Sequence, residues 1–80
     1  MRAEFVEGII EIANLCNWPK KKIDDLQILL LEELAYIDNL MYDVYETTEN
    51  QKTALLVWEG HMEDLRRWLS LILGVKIKFV

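Results

Sequence analysis

One cysteine, one proline, one histidine and three glycines are all this chain holds of the residues that most often build sites and tight turns. With Cys16 alone there is no internal disulfide framework and no multi-cysteine metal site. Its apolar neighbours place it in a core, where a cysteine behaves as a small hydrophobe, and a reduced setting fits that use. Gly8, Gly60 and Gly74 are scattered and form no phosphate-cradling loop. No apolar run approaches the roughly 20 residues of a membrane span. The greasiest, Ile28 to Leu31, is closed off by Gln27 and Glu32. The start shows no cationic segment followed by an apolar stretch and cleavage site, so no secretory leader is expected. These absences together point to a soluble, cytoplasmic protein with no membrane partner.

Basic residues are also in deficit: nine Lys and Arg against fourteen Asp and Glu leave a net charge of -5. A surface of that sign repels phosphate backbones, which argues against direct nucleic-acid binding. The Lys20-Lys21-Lys22 run is followed at once by Asp24 and Asp25 and reads as a charged helix start. The tryptophans and tyrosines are interleaved with acidic residues, which is unsuited to a stacking platform for single strands.

What the chain does have is apolar surface. Fifty-two per cent of its 80 residues are apolar, more than a small single domain can cover by itself. The expectation is association with a second copy. The apolar residues fall into helical seams. Leu55, Trp58, Met62, Leu65, Leu69 and Ile72 are spaced three, four, three, four, three. Leu30, Leu34, Ile37, Met41 and Val44 answer them upstream at four, three, four, three. Both are heptad patterns that keep one stripe facing a partner helix. An N-terminal segment repeats Phe5, Ile9, Ile12 and Cys16, widened by Val6, Ile10 and Ala13, as a mostly buried helix does. Gly8 within it suggests close helix approach, and Trp18-Pro19 terminates it.

The predicted fold is all-α and a single domain over 1–80. An antiparallel helical hairpin carries an N-terminal helix, making a three-helix bundle that dimerises. Helices are placed at about 3–17, 21–46 and 49–73, with Asp24 and Asp25 in the first turns of the second, where carboxylates suit the helix dipole. Thr48 and Gln51 match the capping box that would start the third helix. Gly74 suits a left-handed C-terminal cap. After it Val75, Ile77 and Phe79 alternate with Lys76 and Lys78, a strand pattern over 75–80 that needs a pairing partner.

Two polar residues fall inside these apolar arcs: Glu33 on the second helix and His61 on the third. In a hairpin turning at Thr47-Thr48, facing positions sum to about 95, and Glu33 with His61 gives 94. A buried carboxylate–imidazole pair of this kind fixes register, or raises the histidine pKa, or helps hold a metal. His61 and Asp64 stand one helical turn apart and add a possible ligand.

An N-terminal helix ending near Trp18-Pro19, a Leu30-Leu31-Glu32-Glu33-Leu34 run on a long helix and an acidic helix after a hairpin resemble the MazG-like all-α NTP pyrophosphohydrolases. That resemblance spans Phe5 to Leu73. It implies dimers or tetramers in which an EExxE motif and a facing ExxD motif hold magnesium against a nucleotide's phosphates. Glu32 and Glu33 match the first two carboxylates, while Tyr36 stands where the third belongs. His61 and Asp64 take the ExxD spacing with histidine in place of glutamate. On this reading Glu32, Glu33, His61 and Asp64 are the magnesium ligands.

The other reading is non-enzymatic, with no cofactor. Val57, Trp68 and Leu71 form a second apolar strip beside the third-helix seam, and Trp68 and Tyr36 are residues of the kind that anchor interfaces. Tyr36, Val57, Trp68 and Leu71 are therefore the partner-binding candidates. The function expected is that of a small interaction or regulatory protein, an acidic inhibitor or adaptor, acting as a homo-oligomer on another protein.

Overall fold

The computed structural model describes residues 2–77. They form three helices, α1 (Arg2–Leu15), α2 (Lys20–Thr48) and α3 (Gln51–Leu73). The chain divides into two compact units, Met1–Leu34 and Ala35–Val80, with α2 running from one into the other.

In the first unit α1 buries Val6, Ile9 and Ala13, and the N-terminal half of α2 buries Ile23, Leu26, Leu30 and Leu34. Both sets recur every three or four residues, so each helix commits one stripe and leaves the rest to water. Phe5 and Ile12 are half-buried, and Cys16 is exposed rather than in the core. The reason is that the helix has already ended. Asn17 takes a left-handed conformation (φ 59°), its N–H donates to the Asn14 carbonyl (3.0 Å), and Trp18 N–H donates to Ala13 (3.1 Å). That is a complete Schellman closure, with Asn in the place usually held by glycine. The Pro19 carbonyl then accepts the first bond of α2 from Ile23 N–H.

Because α2 starts at Lys20, its first turn carries three lysines and no acid, and Asp24 and Asp25 fall beyond it. Its last turn holds Glu46 and no base. The charges at both ends therefore oppose the helix dipole. Gly8 does not mark a close approach: a methyl group there would meet nothing within 4 Å. Gly8→Ala is accordingly expected to raise stability by about 0.5–1 kcal/mol, read from the midpoint of chemical denaturation, because alanine restricts the unfolded chain without a clash.

The second unit is a hairpin of the C-terminal half of α2 and α3. Its core is Ile37 on α2 and Ala54, Met62, Leu65, Leu69 and Leu73 on α3, with Ile77 beyond the helix. The middle of the third-helix seam is as its spacing predicts. Its ends are not: Leu55 and Ile72 are exposed, Trp58 is half-buried, and Ala54 and Leu73 take the inner positions. A straight helix drifts about 20° per heptad against a 3.5-residue repeat, so the buried stripe moves to the adjacent position at each end.

The turn departs from the capping box. Thr48 Oγ1 donates back to the Val44 carbonyl (2.7 Å), and Asn50 is the N-cap, its side chain accepting from Thr53 N–H (3.1 Å). Glu49 closes α2 in a left-handed conformation (φ 54°), its N–H donating to Tyr45 (2.7 Å). A side chain is strained there, so Glu49→Gly is expected to stabilise the protein by about 0.5–1 kcal/mol in thermal or chemical denaturation.

Gly74 caps α3 as predicted, at φ 69° with its N–H on the Ser70 carbonyl. The strand expected over 75–80 is absent from its described part. Val75 to Ile77 have no strand pairing, and residues 78–80 lie outside the described residues.

Candidate functional site

The second unit carries the side-chain groupings of interest, and its register decides them. The Tyr36 and His61 rings meet edge to face, with centroids 6.4 Å apart and planes at 82°. Their positions sum to 97, not 94. The turn closes at Glu49 and Asn50, later than Thr47-Thr48, so Tyr36, nearly one turn beyond Glu33, meets the histidine. Neither Glu33 nor His61 is buried: Glu33 is exposed, His61 half-buried, and no polar side chain among the described residues is fully buried. The buried carboxylate–imidazole pair is thus replaced by an aromatic contact at a half-open position.

Glu32 and Glu33 are exposed on α2, in the first unit, while His61 and the exposed Asp64 are one turn apart on α3, in the second. Among the described residues there is no group of three or more His, Cys, Asp or Glu placed to hold a metal ion.

The partner-binding candidates all belong to the second unit. Tyr36, Trp68 and Leu71 are exposed, Leu71 to 82%, and Val57 is half-buried. On α3 Val57, Asp64, Trp68 and Leu71 follow one another at helical intervals and share a face beside the buried stripe.

A further grouping links the end of α3 to the segment after it. Arg66 grips Glu63 with two guanidinium nitrogens, Nε at 2.9 Å from Oε2 and Nη2 on Oε1, and its third nitrogen, Nη1, donates to the Ile77 carbonyl at 2.8 Å. Ser70 Oγ accepts from Ile77 N–H at 3.2 Å. Arg67 Nε lies 3.5 Å from Glu63 Oε1. Once Gly74 reverses the chain, both backbone groups of Ile77 are satisfied by α3 side chains, and the Ile77 side chain, 6% exposed, reaches the core. This is why no strand partner is needed at Ile77. The sequence signal was present: Glu63, Arg66 and Ser70 are spaced three and four, one face of the last two turns. A period-two apolar pattern and a tail folded back by side chains look alike in one dimension.

The Arg66 guanidinium, first by its hydrogen bonds and then by its charge, holds the Glu63 carboxyl below its ordinary value of 4.5. A depressed folded-state pKa adds stability above the unfolded value that is lost as pH falls through the folded one. Acidification below about pH 4.5 is therefore expected to loosen the Arg66-held segment at Ile77, seen in NMR as a falling amide protection factor of Ile77 once the intrinsic exchange rate is corrected for pH. Glu63→Gln should remove that acid dependence. On α2 the Tyr42 phenol is raised above 10.0, chiefly by its hydrogen bond to the Glu46 carboxylate.

Comparison with protein-family models, with curated proteins and with solved structures finds no match to this chain. No helix among the described residues is long and apolar enough to cross a membrane.

Proposed function

We propose that this protein is a small, non-enzymatic interaction or regulatory protein that self-associates and engages another protein through the second unit. The observation that carries the reading is the open apolar strip of α3, where Trp68 and Leu71 stand in solvent beside a completed core, with Tyr36 exposed on α2. Large apolar side chains grouped on one face, with acids such as Asp64 among them, are what a protein contact covers. The net charge of -5 favours a target with a basic surface, as for an acidic inhibitor or adaptor.

Trp68→Ala with Leu71→Ala tests this directly, because exposed substitutions should alter stability by no more than about 0.5 kcal/mol. A specific protein captured by the parent chain and lost by this variant, with an unchanged melt, is the result expected. A melting midpoint raised only by magnesium together with a nucleoside triphosphate would overturn the reading in favour of nucleotide chemistry at Glu32, Glu33, His61 and Asp64.

A further inference from the structure

The segment that follows α3 is held by side chains of that helix, which bond its main chain. Arg66 Nη1 donates to the Ile77 carbonyl at 2.8 Å, Ile77 N–H donates to Ser70 Oγ at 3.2 Å, and the Ile77 side chain is buried. Val75 and Lys76 before it are exposed. Arg66 and Ser70 stand four residues apart on one face of α3, and all of these residues belong to the second unit.

Two observations make this clamp independent of its occupant. The first is that Arg66 is anchored elsewhere. Its Nε and Nη2 both bond the Glu63 carboxylate one turn back on α3, so the third nitrogen stays aimed when Ile77 leaves. The second is that α3 is closed without the segment. Gly74, at φ 69°, donates its N–H to the Ser70 carbonyl at 3.0 Å and supplies the cap by itself. Lifting Val75 to Ile77 therefore breaks the two bonds to Ile77 and uncovers its side chain, while the helix end stays capped.

We propose that this clamp is a docking site for an extended apolar segment of a partner protein, and that the chain's own Val75 to Ile77 is a strap occupying it until displaced. The chemistry of the partner is read from the strap. Arg66 and Ser70 bond main-chain atoms of Ile77, which every residue but proline offers, so they fix an extended chain without reading its sequence. Selection falls to the side-chain position, which takes a β-branched aliphatic residue. Because Glu63 holds the guanidinium in place, little ordering is left to be done when a segment binds. The site is distinct from the strip at Trp68 and Leu71: that one stands open, and this one is covered by the chain itself.

The test uses the full chain carrying Ile77→Ser, which empties the side-chain position. The probe is the end-blocked peptide Gly-Val-Lys-Ile-Lys, the sequence of residues 74–78. In an NMR titration it should shift the Arg66 Nε–H and Ser70 amide signals of Ile77→Ser saturably. The parent chain, whose site is open only part of the time, should bind it at least about ten-fold more weakly. Arg66→Gln added to Ile77→Ser should cost about ten-fold or more in affinity, and the peptide with serine for isoleucine should not bind. In the parent chain the Ile77 amide should exchange through an opening that leaves the Leu69 amide protected. No shift in Ile77→Ser, or equal binding by it and the parent chain, would overturn the proposal. Loss of the helical signal in Ile77→Ser would do the same, since the segment would then be part of the fold and not a strap upon it. A parent-chain dimer that Ile77→Ser abolishes would overturn it in favour of tail exchange between two copies.

Discussion

Leu69→Ala is expected to lower the free energy of unfolding by about 2–5 kcal/mol, the largest single effect anticipated in this chain. Leu69 is fully buried, one of the two largest side chains with no solvent contact. Its neighbours on the buried stripe are Leu65 and Leu73, each four residues away on the same helix, so truncation opens a cavity that rigid helix geometry cannot close. A domain of this size has only about 5–15 kcal/mol in all. At about 4–8 °C per kcal/mol, the midpoint should fall by at least roughly 8 °C. Leu71→Ala, two residues on and on the open strip, provides the control: the same atoms are removed from a side chain that water already reaches, and the melt should hardly move. Equal losses at the two positions would mean that Leu71 is covered in solution.

Ile77→Ala is expected to cost about 2 kcal/mol, toward the lower end of the range for truncating a buried isoleucine because the segment lies at the edge of the core. The prediction has a second part that separates packing from tethering. Arg66→Gln removes the grip on the Ile77 carbonyl and should free the same segment. Ile77→Ala added to Arg66→Gln should therefore destabilise much less than it does alone, since both act through one folded-back strand of chain. Additive losses in a double-mutant cycle by chemical denaturation would show that the guanidinium and the isoleucine act independently.

Three features were legible one residue at a time. The three helices follow from three- and four-residue apolar spacing, and their ends fall within two residues of where local chemistry places them. Gly74 was identifiable as a cap because glycine alone meets no steric cost in the left-handed region. The central seam residues Met62, Leu65 and Leu69 were identifiable for a similar reason: a helix of known pitch presents them on one side wherever it packs.

Other features depended on geometry that spacing does not carry. The sequence does not single out Asn50 as the cap, because Thr48 and Gln51 offer the same chemistry two positions earlier, and only the left-handed turn at Glu49 selects between them. That shift moved the hairpin register by three and exchanged Glu33 for Tyr36 beside His61. Facing positions across a turn depend on where the turn closes, and small errors there are carried along the whole helix pair.

By itself, then, the sequence determined helix number, helix boundaries to within a turn, and the inner residues Leu30, Leu34 and Ile37 of α2 and Met62, Leu65 and Leu69 of α3, since all are local consequences of backbone pitch and apolar burial. The tertiary structure alone decided which residue meets His61, that Cys16 lies past the end of its helix in solvent, and that the alternating tail turns back to be held at Ile77 by Arg66 and Ser70. Those outcomes rest on contacts between residues distant along the chain, where a bond made at one position depends on how the chain has turned several residues earlier.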